Sequence, residues 1–242
     1  MILVDSGLVK ILFYLTTIVF LVRMHLLPIA TAVTTLTDVT RLYTLHPREA
    51  FAPSTWHPTH ERRRQEIASL LDQADMNDKL YALSPLLWYS LKFTVCHEYG
   101  HLLLGHLTSD KKTLRLRPAN QVTRARMHSY EPWNRELQAD SVAMDLLIEG
   151  DKPVEPSVKM ARFMGPMFLF HAWHMIEQVQ TAKSSGEAGS THPPIELRME
   201  SIRSGIGREL GPYEGERVLG LELDLSALGQ LVASSLAEDS GK

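Results

Sequence analysis

Five residues, His97-Glu98-Tyr99-Gly100-His101, carry the first chemistry in this chain. An α-helix turns about 100° per residue, so His97 and His101 lie on one face a turn apart and both imidazoles can reach one metal ion. Glu98 projects beside them, where a carboxylate can take a proton from a metal-bound water. The spacing is a mechanism as well as a pattern. Leu102, Leu103 and Leu104 indicate that the helix runs on as a buried, dry wall. Two imidazoles and an acid are costly to bury unpaired, which favours a metal. A third ligand must come from elsewhere. Without one, the motif reads as a buried helix that carries its polar groups for unrelated reasons.

Glu131-Pro132 opens a second helix that ends at Gly150, a natural C-terminal glycine, with Pro153 beyond. Val142, Met144, Leu146, Leu147 and Ile148 predict that it is largely buried. Glu136 and Asp140 are four apart and share a face. Two acids facing one way from a buried helix repel each other unless a positive charge lies between them. A zinc ion held by His97 and His101 supplies that charge. Glu136 is then the third ligand, and Asp140 the acceptor that fixes a ligand imidazole through its other nitrogen. A solvent-exposed pair of acids is the alternative. His106, five residues past His101 and about 140° around a continuing helix, is a weaker ligand candidate.

These two helices need a scaffold. Ser84-Pro85 starts the motif helix with an N-cap and a proline at its first position, and Gly105 or Thr108 should end it. A long apolar helix, Pro156 to Lys183, is predicted, interrupted at Gly165-Pro166 by a kink. Its methionines read as core filler. Its His171 and His174 either face the metal or are satisfied core histidines. Pro193-Pro194 starts a helix carrying Leu197, Ile202 and Ile206, delivered by the loop Ser184 to Ser190. Beyond Gly211, Val218 to Leu225 alternates, and a short amphipathic stretch follows. Thr113 to Arg117 also alternates and predicts an edge ribbon, able to pair with an extended peptide or to lie as plain surface. Thr59 to Asp75 predicts an amphipathic helix, with Ile67, Leu70 and Leu71 inward. Pro28 to Pro53 gives no assignable element.

The N-terminal run Ile11 to Val22 is uninterrupted by charge. It is short of the ~20 residues that span a bilayer, but residues 8–27 reach that length if Lys10, Arg23 and His25 snorkel. A buried core helix, a membrane anchor and a cleaved signal all remain open. The 242-residue chain is 44% hydrophobic and 22% charged, an ordinary globular composition. Its net charge of −3 carries no strong basic field, so nucleic acid is not an expected partner. Cys96, the single cysteine, excludes an internal disulfide and a multi-cysteine zinc site. That usage fits a reducing compartment, and a cytoplasmic location with membrane association through residues 8–27 left open. Nothing in the sequence speaks to oligomeric state.

Three blocks stand in order: His97-Glu98-x-x-His101, Glu136-x-x-Ala139-Asp140, and His192-Pro193-Pro194-x-x-x-Arg198. This order resembles the gluzincin metallopeptidases whose third zinc ligand lies in a Glu-x-x-Ala-Asp helix. HtpX-type and CAAX-processing membrane peptidases are members, and the smaller Lit-type and ImmA-like peptidases share parts of the pattern. The metzincin pattern is not met, because Gly105 and His106 fall four and five residues after His101. The resemblance implies that His97, His101 and Glu136 bind Zn2+, that Glu98 is general base and then general acid, and that Asp140 lies behind the ligands. It also implies that His192 donates to the oxyanion of the tetrahedral intermediate and that Arg198 braces the last helix against Asp140. HtpX-type enzymes have several transmembrane helices, and this chain has at most one candidate.

The expectation is a mainly α (α+β) chain: a zincin-like helical metallopeptidase domain with a small edge ribbon or sheet. Residues 1–55 form an apolar helix and connector, 56–210 the metallopeptidase domain, and 211–242 a tail packed on it. The expected activity is zinc-dependent hydrolysis of peptide bonds in a protein or peptide substrate. The rivals are a zincin-fold regulatory or defence module with little proteolysis and a membrane-anchored quality-control peptidase.

Overall fold

The computed structural model describes residues 6–23, 25–45, 61–62, 65–69, 84–106, 131–149, 155–183 and 193–240. The described residues are almost wholly helical and contain no strand, so the mainly α expectation holds. The expected ribbon at Thr113 to Arg117 lies outside the described residues. So does most of the predicted Thr59 to Asp75 helix, of which 61–62 and 65–69 are helical and Ile67 is buried.

The helices are α1 (Ser6–Arg23), α2 (Ile29–Leu45), α3 (Ser84–Leu103), α4 (Glu131–Glu149), α5 (Pro156–Lys183), α6 (Ile195–Glu209) and α7 (Pro212–Ser240). α5 is the axis of the packing and contacts α1, α2, α3, α6 and α7. Phe163, Met167, Phe168, Phe170 and Met175 of α5 are buried, so Met167 and Met175 do serve as core filler. α5 stays one helix through Gly165-Pro166, the point where a kink is expected. At that point α3 presses against it. A Cβ on Gly165 would stand 2.7 Å from Ser90 N and from Tyr89 Cβ, so glycine is what permits the crossing. Ser90 Oγ donates to the Gly165 carbonyl across it at 2.7 Å.

α1 is part of the core. Ile11, Leu12, Leu15, Ile18 and Leu21 are each at most 1% exposed. They join the same apolar cluster as the inner residues of α5 and α7. Thr16 sits buried among them because its hydroxyl donates to the Leu12 carbonyl at 2.9 Å. Arg23 Nε meets Asp224 Oδ2 of α7 at 2.6 Å. Among the described residues, no helix is long and apolar enough to cross a membrane.

Two elements differ from expectation. Ile29 to Leu45, unassignable by pattern, is a helix that buries Ala32, Leu36, Val39 and Thr40 at helical spacing. Its threonines obscure the period, since β-branched residues favour strands until packing decides otherwise. The alternating piece Val218 to Leu225 belongs to the long helix α7. Val218, Leu221, Leu225, Leu228, Val232 and Leu236 are buried at intervals of three and four, while Leu223 points outward at 72% exposure. The 3.6 period prevails because its apolar stripe lands on α5 and α2.

Candidate metal centre

α3 and α4 form the centre, and they touch where both carry small residues. A Cβ added to Gly100 would lie 3.1 Å from the Ala139 carbonyl oxygen and 3.2 Å from Ala139 Cα. Gly100 is the fourth residue of the His-Glu motif, and Ala139 directly precedes Asp140. The close crossing therefore brings together the faces that carry His97 and His101 on one helix and Glu136 on the other. Sequence reasoning missed this role; the small residue in each motif was its signal.

On α3, His97 Nε2 and His101 Nε2 stand 3.1 Å apart, and Glu136 of α4 faces them. Glu136 Oε1 is 3.3 Å from His101 Nε2, and Glu136 Oε2 is 3.5 Å from His97 Nε2. The three donor groups offer ligand atoms that all lie within 4.8 Å of one another. Two imidazoles and one carboxylate are a donor set that suits a catalytic zinc. The residues fit a metal: three polar groups converge on one point, with side chains only 11–17% exposed.

Behind His97 lies a second layer. Its Nδ1 is 2.8 Å from Asp140 Oδ1, although the ring N–H is not aligned on that oxygen, so the contact is close and chiefly electrostatic. Asp140 is wholly buried and takes a two-pronged contact from Arg198, Nε to Oδ2 and Nη2 to Oδ1, both at 2.8 Å. Arg198 is only 5% exposed, and its guanidinium lies over the Phe170 ring at 4.4 Å. Phe93, 1% exposed, stacks on His97 and meets Phe170 edge-on. Burial alone would favour a neutral Asp140, but the Arg198 charge and hydrogen bonds hold its carboxyl below the usual range. Burial likewise disfavours a charged His97, yet Asp140 and Glu136 outweigh it and lift its pKa to about 9. Ligation needs a neutral ring, so His97 would have to give up that proton to serve as a metal ligand.

Glu98 is exposed on α3, beside His97 in the chain. The expected dry wall is corrected: Leu102 is 57% and Leu103 45% exposed, whereas Leu104 is buried. α4 and α5 cover the other side of α3, leaving Val95, Tyr99 and Leu102 outward on the side that carries Glu98. His192 lies outside the described residues. His171 and His174 do not join the ligand group among the described residues. His171 is buried with Nε2 unpartnered, and burial, then His174 and Arg203, push its pKa down to about 4. His174 Nε2 is 3.4 Å from Gln178 Nε2.

His106 has a place the helical angle did not foresee. α3 ends at Leu103, and Gly105 adopts φ 68°. The chain turns back, with His106 N donating to the His101 carbonyl at 3.0 Å and Gly105 N to the Leu102 carbonyl at 3.1 Å. This is the paired closure of a helix end by a left-handed glycine. It lays the His106 ring against the outer edge of His101.

The family model for Peptidase U49 matches residues 29–210, which include α2 to α6 and every residue of the centre. No curated protein and no solved structure match the chain.

Proposed function

The chain belongs to the Peptidase U49 family, and from that premise we propose that it is a zinc metalloendopeptidase of zincin-like fold, acting on a protein substrate in the cytoplasm. The observation that carries the zinc assignment is the convergence of His97, His101 and Glu136 within 4.8 Å. These three would hold the ion and leave its fourth position open, as a catalytic site requires and a structural one does not. A bound zinc would supply Lewis acidity toward the scissile carbonyl and the attacking water.

The remaining work falls to the chain's own residues. Glu98, open to solvent beside His97, takes the proton of the attacking water and passes it to the leaving amine. Asp140, kept ionised by Arg198, orients His97 and raises its basicity toward the metal. Gly100 and Ala139 keep the two ligand helices at the required separation. By resemblance, His192 donates a proton or hydrogen bond to the oxyanion. Residues 56–210 would form the catalytic unit.

The test is zinc content together with cleavage of casein, before and after chelation, in wild type and Glu98→Gln. The expected result is one zinc per chain in both proteins, and chelator-sensitive cleavage in wild type alone. Absence of stoichiometric zinc, or cleavage that survives Glu98→Gln, would overturn the reading.

A further inference from the structure

His106 and Gln138 form a chain of contacts behind His101 that the catalytic reading leaves unused. His101 Nδ1 is 2.9 Å from His106 Nδ1, and His106 Nε2 is 3.2 Å from Gln138 Oε1. The opposite nitrogen of His101, Nε2, faces His97 and Glu136. Gln138 lies two residues beyond Glu136 on α4, so one helix supplies both the third ligand and the end of this chain. Arg135 of the same helix reaches the His106 carbonyl from Nη1 at 3.5 Å, and the Gly105 turn fixes the backbone.

We propose that His106 and Gln138 are positioning residues that set the tautomer of the ligand His101, an inference that rests on the zinc reading above. The proton count leads to it. A contact between two Nδ1 atoms works with one proton between them. The Gln138 carbonyl oxygen can only accept, so His106 Nε2 carries the hydrogen and donates it. Neutral His106 then has a bare Nδ1, which accepts from His101 Nδ1–H. His101 is left with a lone pair on Nε2, the atom that faces the other two ligands. The reverse amide orientation would run the chain backwards, put a proton on His101 Nε2 and block ligation. Orientation of the Gln138 amide is therefore the deciding element. The two ligand histidines are held differently: His97 by a buried ion pair, His101 by a neutral imidazole and amide.

The experiment compares wild type, His106→Ala, Gln138→Leu and Gln138→Glu. Glutamate keeps an acceptor at the deciding position and is the conservative rescue. Zinc affinity is read by competition with a chromophoric chelator. The His101 tautomer is read in metal-free protein at pH 8 from its ring nitrogen-15 shifts. We expect zinc affinity to fall about 10- to 100-fold in His106→Ala and Gln138→Leu, the range seen when partners behind a metal ligand are removed. Gln138→Glu should stay within about threefold of wild type on the same reasoning. The nitrogen shifts should report Nδ1–H on His101 in wild type and Gln138→Glu, and a mixture in Gln138→Leu. An unchanged tautomer and unchanged affinity in Gln138→Leu would overturn the proposal. If wild type binds no zinc, the zinc reading fails, and the nitrogen shifts still decide the tautomer chain by themselves.

Discussion

Replacing Arg198 with methionine removes the two-pronged partner of a carboxylate that has no access to water. Among the described residues, Asp140 would keep one close polar partner, His97 Nδ1 at 2.8 Å. Breaking a buried pair from one side costs about 3–5 kcal/mol, because the remaining charge is neither solvated nor compensated. For a chain of this size each kcal/mol moves Tm by roughly 2–4 °C, so the expected fall is about 6–20 °C. Arg23→Met is the matched control. Its partner contact with Asp224 is shorter, at 2.6 Å, yet both side chains are nearly half exposed. An exposed pair contributes at most about 1 kcal/mol. The assay is urea unfolding followed by far-ultraviolet circular dichroism in chelator, so that metal linkage does not enter. Adding Asp140→Asn to Arg198→Met should recover part of the loss, since the orphaned charge goes with it. An Arg198→Met variant within about 1 kcal/mol of wild type, or no worse than Arg23→Met, would refute the argument that burial rather than distance sets the cost.

Two further outcomes can be measured the same way. Gly165→Ala should destabilise by about 1–3 kcal/mol through overpacking, because its Cβ would meet the α3 backbone at 2.7 Å. Gly207→Ala, whose Cβ would meet nothing within 4 Å among the described residues, should instead stabilise by about 0.4–1 kcal/mol. Equal signs for the two would show that packing at the crossing is not what the glycine serves. His171, neutral in the fold with its pKa near 4 against 6.5 unfolded, contributes stability that is complete above pH 6.5 and lost as pH falls toward 4. The full loss is about 3 kcal/mol, and His171→Met should remove that part of the slope between pH 7 and pH 4.5.

Much of the centre was legible because it is local. His97 and His101 are one turn apart, Glu136 and Asp140 likewise, and a helix converts each spacing into a shared face without help from the rest of the chain. Ser84-Pro85 and Gly105 marked the ends of α3 by the same local physics. α2 was not legible, since its buried Thr35, Thr37 and Thr40 are polar in pattern and become core through burial beneath neighbouring helices. The exposure of Leu102 and Leu103 was also beyond reach, because an apolar residue does not announce whether a partner helix will cover it.

His106 marks the boundary between the two kinds of information. As a residue five past His101 on a continuing helix, it would point away from the site. Gly105 was visible as a helix stop, but a stop signal does not say where the next side chain lands. The left-handed turn returns His106 to the edge of His101, and α4 then offers it Gln138 Oε1 at 3.2 Å. The pairing of His97 with His101 and of Glu136 with Asp140 was written in spacing along two helices. Their separation, through Gly100 against Ala139, and the tautomer of His101, through His106 and Gln138, were decided by packing, because both depend on atoms that meet only when residues about thirty or more apart come together.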